Sequence, residues 1–230
     1  MPSKGSGAGG FNRGDRFEGG TGWIAHPEET MQRTGHALVE GDRVWLVDPV
    51  DAEGLNEAVA EYGEVAGVVV LYNHHRRDAA AVAARFDVPV SLPETMSALA
   101  DEDVAGRVRR TEGQLGDTSY YLHELKRSRI WQEWVLFDGE TLVVPESVGT
   151  AEYFTAPGER LGVSMIRRLR PPTALSEFEP GLVLCGHGEG VFADAAGELG
   201  RALRGARRTA PRMYLRHGPS LARNLVAAMR

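Results

Sequence analysis

A chain of 230 residues, 42% hydrophobic and 25% charged, can bury one sizeable core and has the make-up of a soluble globular protein rather than a disordered or fibrous one. No apolar run approaches the roughly 18 residues of a membrane span, so a membrane protein is excluded too. The net charge of −6 conceals a segregation: residues 201–230 carry eight arginines and no acid, which leaves the rest of the chain at −14.

Taken in chain order, "MPSKGSGAGGFNRGDRFEGGTG", residues 1–22, reads as a flexible Gly/Ser-rich leader. It lacks the apolar core of a secretory signal, and its Arg13-Gly14-Asp15 is read as accidental. A single domain is expected over residues 23–230. "HALVEGDRVWLVDPV" gives two strands around a Gly41-Asp42 turn, and "DAEGLNEAVAEYG" a short helix stopped by Gly63. "VAGVVVLY" is apolar on both faces, as a strand inside a covered sheet should be. "RRDAAAVAARF" follows as a helix and "VPVSLP" as the next strand, a βαβ rhythm that argues for layered α/β packing.

From Gly106 to Thr155 the signals become strands and turns: "RVRRTEGQL", "SYYLHEL", and a hairpin, "WQEWVLFDGETLVVPE", through Asp138-Gly139. "GVSMIRRL" reads as helical, "PPTALSEFEPG" as a loop, and "LVLCGHGEG" as a strand entering a glycine-rich turn. "VFADAAGELGRALRGAR" is a helix. The arginines of the tail alternate with Leu203, Leu215, Leu221, Leu225 and Val226. A basic amphipathic helix docked on the body accounts for that spacing better than a nucleic-acid arm.

The chemistry-bearing residues gather at two junctions. In "LYNHHRRDAA", His74, His75, Arg76, Arg77 and Asp78 stand where a strand meets a helix. That junction reads as a polar turn, a single-metal site or part of a two-metal site, and the residues leave the choice open. Its cations could equally hold a phosphate or carboxylate at a helix N-terminus. At the second junction, Gly186-His187-Gly188 follows an apolar strand. His26 and His36 have no companions at ligand spacing and read as structural; His123 and His217 read as surface or packing residues. Cys185, the only cysteine, rules out an internal disulfide and reads as a buried inert thiol. No Gly-x-Ser-x-Gly elbow occurs, which disfavours a serine hydrolase. With no export signal, the cytoplasm is the expected compartment.

The order of these elements over residues 34–205, with an apolar strand running into "NHHRRDA" and a later "LCGHGEG", resembles the metallo-β-lactamase superfamily. The resemblance implies an α+β fold: a four-layer αββα sandwich of two mixed β-sheets flanked by helices, with metal ligands on loops along one sheet edge. It also implies a His-x-His-x-Asp-His motif. With Asp78 as the motif aspartate, His74 keeps the first histidine, while Arg76 and Ala79 fill the other two places. Glu146, after "LVVP", takes the place of a bridging aspartate, and His187 that of the last histidine. An isolated histidine expected near Arg129 is missing, and Asp48 matches an aspartate that holds the metal loop.

The implied ligand set is therefore His74, Asp78, Glu146 and His187, with Asp78 also the candidate catalytic carboxylate. It holds at most one divalent metal, zinc, iron or manganese. Two functions stay open. The first is a descendant with a depleted metal site, non-catalytic or binding an anion through His75, Arg76 and Arg77. The second is a metal-dependent hydrolase using one metal and a bound hydroxide. A small-molecule or anionic ligand is expected in either case, with nucleic acid disfavoured and no membrane.

Overall fold

The computed structural model describes residues 9–104 and 106–228, with side chains described as far as residue 217 except at 13 and 103. Seven strands form the first sheet in sequence order: β1 (Asn12–Phe17), β2 (Gly20–Ile24), β3 (Thr34–Glu40), β4 (Arg43–Val47), β5 (Glu64–Val69), β6 (Val90–Pro93) and β7 (Val108–Thr111). The first four run antiparallel. From β4 to β7 each strand is parallel to the one before it. Helices α1 (Leu55–Ala60) and α2 (Ala79–Arg85) make the two crossovers between β4 and β6, as parallel pairs demand.

The second sheet holds β8 (Tyr121–Arg127), β9 (Gln132–Phe137), β10 (Thr141–Val144) and β11 (Leu182–Cys185) in that order, with only β10 and β11 parallel. Strand alternation decides the layering. On β9, Trp134 and Leu136 join the core shared with the first sheet, while Val135 between them joins a second core. On β11, Leu182 and Leu184 face the first core and Val183 and Cys185 the second. That second core is closed by α3 (Ala195–Ala228), whose Ala195, Leu199, Ala202, Leu203 and Ala206 are buried at helical spacing. Helices, sheet, sheet and helix thus stack as the αββα sandwich expected from sequence.

Val68 to Leu71 are fully buried, as a doubly covered strand requires. Turns at Gly41 (φ 62°) and Gly139 (φ 102°) close the two hairpins read from sequence. Other expectations need correction. The supposed leader is part of the first sheet from Asn12 onward: its glycines serve close approach, because a Cβ on Gly20 (φ 145°) would lie 1.9 Å from the carbonyl oxygen of Ala37. Residues 1–8 lie outside the described residues.

Asp15 is buried, so the Arg-Gly-Asp tripeptide is no displayed loop. "GVSMIRRL" opens as a short strand, Gly162–Val163, and is helical only in one 3₁₀ turn, Met165–Arg167. There Arg168 is drawn inside to bond Glu159 and the Phe154 carbonyl, and its bond to Thr209 ties the segment to α3. The tail expected as a separate terminal helix is the continuation of α3. The expected packing of Leu221, Leu225 and Val226 lies beyond the residues whose side chains are described. Among the described residues no helix is long and apolar enough to cross a membrane.

Candidate metal centre

Three segments that leave the two sheets at one edge bring together His75, Glu146 and His187, all buried. His75 follows β5, Glu146 follows β10 and His187 follows β11. Gly186 is small because the chain passes the Pro145 carbonyl: a Cβ there would lie 2.2 Å from that oxygen. With Gly186 N donating to Val144 O at 2.9 Å, the turn delivers His187 beside Glu146.

The hydrogen bonds fix which ring atoms face inward. His187 Nδ1 lies 2.9 Å from the Met31 carbonyl, which can only accept, so Nδ1 carries the hydrogen. His75 Nδ1 lies 2.9 Å from Asp48 Oδ2, again an acceptor. In the neutral rings both Nε2 atoms are therefore bare, yet they lie 3.2 Å apart. Glu146 Oε2 is 3.2 Å from His75 Nε2 and 2.9 Å from His187 Nε2. Three lone pairs converge on one point, an arrangement that needs a positive charge between them.

Burial alone would raise the Glu146 pKa, but when a ring Nε2 takes up a proton the charge and hydrogen bonds of His187 and then His75 more than reverse it, holding the carboxyl well below the ordinary range. Burial pulls His187 down against the opposing pull of Glu146.

The donor set fits a divalent cation. Zinc ligands at about 2.0–2.2 Å in tetrahedral array stand roughly 3.4 Å from one another, so a spread of a few tenths of an ångström would accommodate the ion. Two imidazoles, one carboxylate and an open fourth position form a pattern common to catalytic zinc sites. The outer shell is built as well: Asp48 takes the Leu71 N–H on Oδ1 at 2.9 Å while Oδ2 orients His75.

Glu133, fully buried on β9, holds the Glu146 turn. Its Oε1 accepts from Ser147 N (2.7 Å) and Glu146 N (3.1 Å), and its Oε2 from Trp131 Nε1 (2.8 Å). Phe154 stacks on the His187 ring at 5.0 Å between centroids, and Tyr72 meets His75 edge-on at 5.0 Å. A cavity of about 380 Å³ opens over His75, Glu146 and His187 and is lined also by Met31, Tyr72 and Arg77.

Of the residues named from sequence, Glu146 and His187 meet here, and His74 and Asp78 do not. His74 is exposed, with Nε2 3.0 Å from the Ile130 carbonyl. Asp78, at the start of α2, accepts from Asp51 N at 2.9 Å and belongs to the helix junction rather than the cluster. His75, expected in an anion pocket, stands instead with Glu146 and His187 in the cluster. If His75 is set on the second histidine of the expected motif, the register moves one residue earlier, and Asn73 and Asp78 fall on the outer histidine places and Arg77 on that of the aspartate. Of the proposed anion-binding residues, Arg76 is exposed and Arg77 reaches inward. Glu133 was missed altogether, although a carboxylate at an inward position of the apolar strand "WQEWVLF" was its signal.

No family model matches the sequence, and no curated protein matches it. The structure, by contrast, is similar to solved metallo-β-lactamases. DIM-1 exposed to ceftazidime superposes with a TM-score of 0.63 at 15% identity, over 87% of this chain and 100% of that one. TMB-1 gives 0.62 at 14% identity, over 86% and 98%. FIM-1 from Pseudomonas aeruginosa, in a mono-zinc form, gives 0.62 at 10% identity, over 88% and 97%. The chain has the metallo-β-lactamase fold.

Proposed function

We propose that the protein is a hydrolase working with a single divalent cation held by His75 Nε2, His187 Nε2 and Glu146 Oε2. The convergence of those three atoms within 2.9–3.2 Å, with both Nδ1 atoms already engaged elsewhere, carries the reading. The mono-zinc form of FIM-1, a structural neighbour, supports a one-ion occupancy. Zinc, iron and manganese all accept such a set. When bound, a cation of this kind polarises a carbonyl or phosphoryl oxygen and brings the pKa of a water toward neutrality. The chain's own part is positioning: Asp48 and the Met31 carbonyl fix the two rings, Glu133 fixes Glu146, and Tyr72 and Phe154 shield the ligands from bulk water.

One observation favours a second reading. Arg76 and Arg77 both line the cavity, as an anion-binding protein without a cation would have it.

Metal-free protein titrated with zinc separates the two. The hydrolase reading expects one ion per chain, a rise in Tm, and hydrolysis of at least one of an ester, thioester, lactone or phosphodiester panel. His75→Ala, Glu146→Ala and His187→Ala should abolish binding and activity, whereas His74→Ala and Asp78→Ala should spare binding. Protein that takes up no ion, with Tm indifferent to chelator but raised by inorganic phosphate, would overturn it in favour of the anion-binding reading.

A further inference from the structure

Arg77 lies against the centre yet has no part in the chemistry above. Its backbone is in the left-handed region (φ 39°), a conformation that a long side chain adopts only where its surroundings enforce it. The guanidinium supplies that enforcement. Nη1 donates to the carbonyls of Thr34 (2.7 Å) and Asp48 (2.9 Å), and Nη2 to that of Gly186 (2.9 Å). The three acceptors come from three different segments, at the start of β3, after β4 and after β11. The group is therefore locked in place. Nη2 is also 3.4 Å from His75 Nε2, the atom aimed at the cation. Nε is buried without an acceptor, and among the described residues no carboxylate pairs with the head group.

We infer that Arg77 is a built-in cation that limits the centre to one divalent ion and sets how tightly that ion is held. The inference rests on the reading of His75, Glu146 and His187 as ligands. Two effects act in the same direction. In the empty centre an Nη2 hydrogen competes for the His75 lone pair that the ion needs. In the filled centre a fixed unit charge stands a few ångströms from a dication, and even screened repulsion at that range costs about a factor of ten or more in affinity. A second ion would have to take the space that the guanidinium fills.

The experiment is zinc competition against a chromophoric chelator, using the full chain, Arg77→Met and Arg77→Lys. The wild type should bind no more than one zinc under excess metal. Arg77→Met should bind it roughly tenfold to a hundredfold more tightly, and Arg77→Lys, which keeps the charge, should stay near the wild type. If Arg77→Met loses its near-UV circular dichroism, Arg77→Gln reads the same loss of charge, and the wild-type stoichiometry needs no variant.

Two zincs on the wild type, or neutral variants that bind no more tightly, would overturn the inference while leaving the hydrolase reading intact. No zinc on the wild type but one on a neutral variant would do the reverse, supporting Arg77 as the excluding cation and sinking the hydrolase. No zinc on any form would sink both.

Discussion

Asp48 sits in the left-handed region (φ 44°) with both carboxylate oxygens engaged, one by the Leu71 N–H and one by His75 Nδ1. It leaves His75 a single way to present itself, with Nε2 toward the centre. Asn at this position would place an amide N–H₂ or a second constraint against the ring. Asp48→Asn should therefore weaken zinc binding by about 10- to 100-fold, with secondary structure unchanged, as outer-shell substitutions do. Unaltered affinity would show that the ring orients itself.

Asp15 behaves in the opposite sense to an ordinary acid. Burial lifts its pKa to about 6, partly offset by the Gly190 N–H that it accepts at 2.8 Å. The folded state thus holds a proton that the unfolded state releases near pH 4, and stability falls as pH rises from about 4 to about 6. Asp15→Asn, which mimics the protonated form, should raise stability at pH 7 by roughly 1–3 kcal/mol and give no gain below pH 4. Denaturant melts at the two pH values check this, and an equal effect at both would contradict it.

At the scale of elements, what was legible followed from periodicity. β11 and the hairpins through Gly41 and Gly139 are apolar runs bounded by turn residues, and such runs declare themselves. The β1–β2 hairpin did not, because its glycines look like linker composition while they serve strand contact: Gly20 passes Ala37, and a Cβ on Gly22 would lie 3.1 Å from the His36 ring. Gly20→Ala should therefore cost at least about 2 kcal/mol in a denaturant melt, far more than an alanine in a true leader. A loss under about 0.5 kcal/mol would mean that the strand contact is dispensable.

The ligand register failed for a related reason. β5 ends at Val69, and the stretch to Asp78 is irregular, with Arg77 at positive φ, so no fixed period tells whether His74 or His75 turns inward. Only Asp48 and Glu146, distant in sequence, decide it. Glu146 and His187 were readable because each follows directly on a regular strand.

At the scale of the molecule, the acidic body and basic tail resolve into one helix with two faces. Leu199 and Met213 are buried under α3, while Arg204, Arg208 and Arg212 are exposed on it. Leu199→Ala should lose about 2–5 kcal/mol, and Leu215→Ala, at an 81% exposed position, under about 0.5 kcal/mol. Equal losses would mean that α3 packs through a different face.

The two sheets meet at the centre, since β5 brings His75 from one sheet and β10 and β11 bring Glu146 and His187 from the other. A bound ion would therefore tie the halves of the sandwich together. Anomalous scattering at the zinc edge, from crystals of the zinc-loaded wild type, tests this most directly. A single peak is predicted within about 2.3 Å of His75 Nε2, His187 Nε2 and Glu146 Oε2, with the Arg77 guanidinium beside it and no second peak in the cavity. A peak held by His74 or Asp78, or no peak between the two sheets, would contradict the account.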